Sequence, residues 1–141
     1  MHMSEPSLDT APELAIILPA FNEAAGITDT LARVRDVLSA FSGRSEVIVV
    51  DDGSTDDTAA KAAACGVKVV SHGWNRGYGA ALKTGVMATT APAIMIMDAD
   101  STYPPDAIPR LYGRLQGADM VVGSRLLSSS GVAWIRRPGK W

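Results

Sequence analysis

Two aspartates, Asp98 and Asp100, follow the apolar run Ala93-Ile-Met-Ile-Met97 and stand two residues apart. In an extended chain residues i and i+2 face the same way, so both carboxylates can aim at one point. No Lys or Arg adjoins them. Carboxylates brought together without a cation repel, and one must take up a proton unless a cation sits between them. A hard divalent ion such as Mg²⁺ or Mn²⁺, sharing its other positions with substrate phosphates, removes the conflict. A second acidic pair, Asp51 and Asp52, ends another apolar run, Glu46-Val-Ile-Val-Val50. A bare phosphate would be repelled from such a place and a metal-bridged one held. Carboxylates not needed by the metal can accept from a base N–H or a ribose hydroxyl. These residue types therefore suit a nucleoside diphosphate with its metal. An isolated Asp-x-Asp is more often a solvated turn, so the elements around it decide.

Apolar runs and amphipathic stretches alternate along the chain. Leu14–Leu18 predicts a first strand stopped by Pro19, and a helix is expected from about Ala24 to Ala40, with Leu31, Val34, Val37, Leu38 and Phe41 on one face. Glu46–Val50 predicts the second strand. The polar loop 51–57 leads into a helix through Cys65, with Ser54 or Thr55 as N-cap and Gly66 as the residue just past its end. Val67–Val70, Ala93–Met97 and Asp119–Val122 predict three more strands, and Tyr78–Thr89 and Pro105–Leu115 two more helices. Such alternation with short connections implies right-handed crossovers and a mostly parallel sheet covered by helices on both faces, a three-layer α/β/α arrangement. In the strand order 3-2-1-4-5 the reversal falls between strands one and four. Ligands of open α/β sheets bind there, beyond the C-terminal strand ends. Loops 20–23 and 98–103 meet at that crevice, with Asp51 and Asp52 one strand away.

With 141 residues the chain is about one domain, 47% hydrophobic and 20% charged. A net charge of −2 gives no electrostatic footprint for nucleic acid. The single Cys65 rules out an internal disulfide framework and fits a reducing, cytoplasmic compartment. No apolar run approaches the roughly 20 residues needed to span a bilayer. Residues 1–13 read as a polar, disordered lead-in to a domain over 14–141. A dinucleotide-binding Rossmann unit requires Gly-x-Gly-x-x-Gly after strand one, where this chain has Pro-Ala-Phe-Asn-Glu-Ala. A sugar nucleotidyltransferase would carry a glycine-rich basic loop at the same place. Only His2 and His72 are available for a Ser–His–Asp site, and His72 reads as a loop residue with local hydrogen bonds.

Five ordered motifs carry a resemblance: Pro19-Ala-Phe-Asn-Glu23, Val50-Asp-Asp-Gly-Ser-Thr-Asp56, Asn75-Arg-Gly-Tyr-Gly-Ala-Ala81, Asp98-Ala-Asp100 and Gly123-Ser-Arg125. From about Leu14 to Trp141 the chain resembles the family 2 glycosyltransferases of the GT-A fold. Asp98-Ala-Asp-Ser-Thr-Tyr-Pro-Pro105 and Asp119-Met-Val-Val-Gly-Ser-Arg125 bring it nearest to the dolichyl-phosphate mannose synthase and polyprenyl-phosphate sugar transferase branch. Members of that family continue past this point, so the chain resembles the nucleotide-sugar half of such a domain.

The resemblance implies a GDP- or UDP-sugar donor, Mg²⁺ or Mn²⁺, and inverting transfer of a hexose to a polyprenyl phosphate or another acceptor. It implies that Pro19, Ala20, Phe21 and Glu23 line the base and ribose side. Val49 and Asp51 would do so too, with Asp52 supporting the loop. It makes Asp98 and Asp100 the metal ligands, with Ala99 between them on the donor site. Arg76 and Arg125 would approach phosphate or sugar, and Asp100 and Arg125 would be catalytic. Packing, rather than sugar stacking, is the expected role of Trp74 and Tyr78. The basic tail, with Trp134, Arg136, Arg137, Lys140 and Trp141, could lie against an anionic membrane at its inner face. A metal- and nucleotide-binding module without turnover is the second reading of the same residues.

Overall fold

Four apolar runs become one parallel sheet in a computed structural model that describes residues 10–123. Strand β1 (Leu14–Ala20) leads through helix α1 (Ile27–Ser39) to β2 (Ser45–Asp51). Helix α2 (Thr58–Ala64) leads to β3 (Lys68–Ser71), and α3 (Tyr78–Met87) to β4 (Ala93–Ile96). A 3₁₀ turn at Pro105–Ala107 runs into α4 (Ile108–Arg114). The sheet order is β3-β2-β1-β4, with every pairing parallel, as expected for the first four strands.

The period of two along the strands sorts their side chains into two layers. Leu14, Ile16, Leu18 and Ala20 of β1 join Val49, Ala93 and Met97 beneath Ile27, Leu31 and Val34 of α1, Ala62 of α2 and Ile108 of α4. Ile17, Ile48 and Val50 face the other way, against Ala81 of α3. Burial of each such Leu, Ile or Val contributes roughly 1.5–3 kcal/mol. Phe41, just past α1, meets Tyr112 of α4 edge-on at 5.0 Å and 86°. Helix α3 lies close on the sheet because Gly85 faces it: a Cβ there would come within 2.4 Å of Ile17 Cγ2. It covers β1 and β2 but leaves β4 open, where Ile94 and Ile96 are 38% and 45% exposed.

Four expectations are corrected. Strand β1 runs through Pro19 to Ala20. Ala20 O accepts from Asp52 N on the β2 side, while Ile17 O accepts from Met97 N on the β4 side. Pro19, two residues on from Ile17, turns its missing N–H toward β4, whose pairing has already ended at Ile96. Helix α1 starts at Ile27, not Ala24, because residues 22–24 give their N–H groups to side chains of the 54–58 loop. Helix α2 starts at Thr58, beyond Ser54 and Thr55; Gly66 does follow its end, with φ +74°. Residues 119–122 form no strand, and Met120 and Val122 are exposed. The expectations for residues 1–9 and for the tail from Ser124 lie outside the described residues. Arg44, at the turn before β2, pairs with Glu13 and donates to Ala11 O, tying residues 11–13 to the sheet.

Candidate functional site

The loops after β1, β2, β3 and β4 all open at the C-terminal edge of the sheet. A cavity of about 1250 Å³ lies there, lined by residues 19–23, Asp52, Asn75, Gly77, Tyr78, Ala81 and residues 98–100. The strand order reverses between β1 and β4, the place where such sheets hold ligands.

After β4 the chain leaves the extended conformation. Asp98 is half-buried and accepts from the Tyr78 hydroxyl at the start of α3 (3.2 Å). Ala99 turns inward under α1, where its carbonyl accepts from Thr30 Oγ1 (3.2 Å). Asp100 is exposed, and its Oδ1 accepts from Thr102 N and Oγ1 at 3.0 and 2.6 Å. Ser101 has φ +63°, uncommon for a residue other than glycine. Asp98 and Asp100 thus reach the same cavity through a turn, not along a continued strand. Burial and the neighbouring Asp98 carboxylate push the Tyr78 hydroxyl up to about 12, so it remains a proton donor at neutral pH.

The two aspartates after β2 part company. Asp52 points under the 72–77 loop. Its Oδ1 accepts from Arg76 N (2.9 Å) and pairs with the buried His72 ring at 2.6 Å, and its Oδ2 accepts from Gly77 N (2.8 Å). The second His72 nitrogen meets Thr84 Oγ1 at 2.9 Å. Burial alone would raise the Asp52 pKa, but the donors of Arg76, His72 and Gly77 outweigh it and hold the carboxyl below its usual value. Asp51 is 4% exposed, accepts from Ser54 N (3.3 Å) and does not line the cavity. Gly53 has φ +74°, and a Cβ there would come within 2.3 Å of the Trp74 carbonyl carbon. Only glycine lets the 74–75 backbone cross so close over the β2 turn.

The first loop is clasped by the same turn. Asn22 (φ +54°) donates its N–H to Ser54 Oγ and accepts from Thr55 N through Oδ1, both at 2.9 Å. Glu23 N donates to Thr58 Oγ1 (2.9 Å) and Ala24 N to Asp56 Oδ2 (3.2 Å). Asp56 also accepts from the Thr58 hydroxyl and N–H, and the Thr58 hydroxyl above all holds its pKa below the usual range.

Of the residues singled out in the sequence, Pro19, Ala20, Phe21, Glu23, Asp52, Asp98, Ala99 and Asp100 come together on the cavity. Val49 does not: its side chain is fully buried in the core. Arg76 is exposed and meets the site only through its N–H on Asp52. Arg125 lies outside the described residues. Trp74, expected to pack, is 71% exposed. Asn22, Asn75, Gly77 and Ala81 are further lining residues without a predicted binding role, although each falls inside a quoted motif, and Tyr78, expected to pack, lines the cavity as well. His72 is the hydrogen-bonded loop residue expected of it.

Among the described residues no Lys or Arg lines the cavity, and its carboxylates supply only oxygen donors. Among the described residues no group of three or more His, Cys, Asp or Glu could hold a metal. Two carboxylates suit Mg²⁺ or Mn²⁺ if phosphate oxygens and water complete the shell. Among the described residues no helix is long and apolar enough to cross a membrane.

Residues 15–141 match the model of the family described as Glycosyl transferase family 2. An uncharacterized glycosyltransferase of Mycobacterium tuberculosis is 35% identical over 128 residues, covering 89% of this chain and 55% of the relative. An undecaprenyl-phosphate 4-deoxy-4-formamido-L-arabinose transferase of Pseudomonas aeruginosa is 35% identical over 134 residues, covering 90% of this chain and 39% of the relative. The chain therefore spans about half, or less, of these relatives' lengths. A mannosyltransferase from Pyrobaculum calidifontis, solved with GDP-Man and Mn²⁺, superposes with a TM-score of 0.67 at 27% identity, over 74% of this chain and 32% of its own. Glucosyl-3-phosphoglycerate synthase from Mycobacterium tuberculosis, solved with Mn²⁺, UDP and glucosyl-3-phosphoglycerate, gives 0.63 at 33% identity, over 74% and 39%.

Proposed function

The chain belongs to glycosyl transferase family 2 and has the GT-A fold, and on that premise we propose that it transfers a hexose from a GDP- or UDP-sugar to a polyprenyl phosphate, with inversion. One observation carries this reading: Asp98 and Asp100 open onto the same cavity as the first loop, with no basic side chain among its described lining residues. Asp98 and Asp100 would hold Mg²⁺ or Mn²⁺, which when bound would supply Lewis-acid stabilisation of a leaving diphosphate. Pro19 and Ala20 form the wall beside the nucleoside. Phe21, 36% exposed, offers its ring at the cavity mouth. Glu23 and Asn75 stand where a ribose or a base can donate or accept. The Asn75–Gly77 backbone, held by Asp52, closes the other side. Arg125, assigned to phosphate or sugar by the resemblance, completes the set.

Inversion follows from a single displacement. The acceptor oxygen forms its bond to the anomeric carbon as the bond to the diphosphate breaks. A hydroxyl acceptor needs a general base for its proton. A phosphate oxygen is already ionised near neutral pH and needs none. The structural relatives solved with GDP-Man or UDP and Mn²⁺, and the relative named for undecaprenyl phosphate, support the donor, metal and acceptor classes in turn. The test is sugar transfer from GDP-mannose and UDP-glucose, with Mn²⁺, to undecaprenyl phosphate or to a sugar alcohol. Transfer to the lipid phosphate is expected to be the faster. Faster reaction with the alcohol contradicts the acceptor, and no effect of Arg125→Ala contradicts the role of that residue.

A further inference from the structure

Two hydroxyl groups converge on the Asp98–Asp100 turn from opposite faces of the sheet. Thr30 lies on α1 among the apolar residues Ile27, Leu31 and Val34 and is 2% exposed. By shape a valine would serve there equally well. A buried hydroxyl is unfavourable without a partner, and the partners of Thr30 are both in this turn: Ala99 O at 3.2 Å and Ser101 Oγ at 2.6 Å. Ser101 is the residue in the left-handed conformation next to Asp100. Thr30 therefore fixes the turn's backbone at the point that determines where Asp100 is presented. From the other side Tyr78 donates to Asp98 Oδ1 at 3.2 Å. Tyr78 is the first residue of α3 and directly follows Gly77, whose N–H is held by Asp52. Its hydroxyl is thus carried on a backbone anchored from β2.

We propose that Thr30 and Tyr78 are positioning residues that hold Asp98 and Asp100 ready for a divalent cation. This rests on the metal reading above. Carboxylates that bind metals are themselves oriented by hydrogen bonds, and loss of such a partner lowers metal affinity about 10–100-fold. Tyr78 occupies one Asp98 oxygen and fixes the plane of the carboxylate. Thr30 prevents the 99–101 backbone from relaxing out of its uncommon conformation.

The test uses the whole 141-residue chain. Free Mn²⁺ is followed by electron paramagnetic resonance during titration with GDP or UDP, and nucleotide binding in EDTA is measured by calorimetry. Tyr78→Phe and Thr30→Val are each expected to weaken the Mn²⁺-dependent complex about 10-fold. Binding in EDTA should be unchanged, and Thr30→Ser, which keeps the hydroxyl, should restore wild-type affinity. Wild-type Mn²⁺ affinity in both Tyr78→Phe and Thr30→Val overturns the proposal while leaving the proposed function standing. Equal losses with Mn²⁺ and in EDTA also overturn it, because they report a loosened fold. Absence of any Mn²⁺-dependent complex in the wild type overturns the metal reading together with it.

Discussion

The Asp52 carboxylate receives donors from the His72 ring and from the backbone of Arg76 and Gly77, so it organises a loop that a ligand must meet. Replacing it with Asn turns an N–H₂ toward a donor and leaves that donor unmet, at about 1–3 kcal/mol. Denaturant unfolding of Asp52→Asn should show that loss near neutral pH. The folded-state pKa of Asp52 is depressed. Its contribution is therefore complete above the unfolded value of about 3.9 and disappears as pH falls through the folded one. The gap between variant and wild type should narrow below about pH 4. The importance of the acidic pair was legible in the sequence, but the division of labour was not. Neighbouring residues face opposite ways, and only the path of the 72–77 loop decides which carboxylate is taken up by backbone donors. The hydroxyl bond of Tyr78 to Asp98 was not legible for a related reason: an aromatic ring at a helix start reads as packing until the partner of its hydroxyl is known.

Helix starts show how distant loops override local preference. Ser54 and Thr55 stand where N-caps usually stand, yet they clasp Asn22, and the helix begins later, at Thr58. No single-segment pattern reveals a bond between positions 22 and 54. Gly53 is the point on which two loops cross. Gly53→Ala meets both a φ of +74° and the Trp74 backbone. It should cost about 1–3 kcal/mol in denaturant unfolding and weaken nucleotide binding by displacing Asn75. Unchanged stability would mean that the loops do not cross so closely. Pro19 misled in the opposite sense. Its missing N–H is harmless only because β4 stops short, a property of the neighbouring strand and not of the proline.

The whole sheet was readable through four strands because continuous apolar runs between short helices admit little besides a parallel, doubly covered arrangement. The fifth run, 119–122, was not separable from a loop by pattern alone. Met120 and Val122 stand exposed there. The two faces also differ in a way composition does not disclose. Ile17 is fully buried under α3, whereas Ile94 and Ile96, on the same face, are half-exposed along β4. Ile17→Ala should destabilise by about 2–5 kcal/mol. Lys at position 94 or 96 should shift stability by no more than about 0.5 kcal/mol, within the range of surface changes. Equal effects at the three positions would show that β4 is covered.

The decisive measurement is a calorimetric titration of GDP and UDP into the chain with Mn²⁺ and again with EDTA, for wild type and Asp100→Ala. One nucleoside diphosphate should bind with Mn²⁺ present, and that binding should fall at least about tenfold, or about 1.4 kcal/mol, in EDTA or in the variant. Equal binding with and without metal, or an unaffected Asp100→Ala, would contradict a metal-bridged diphosphate at the end of β4.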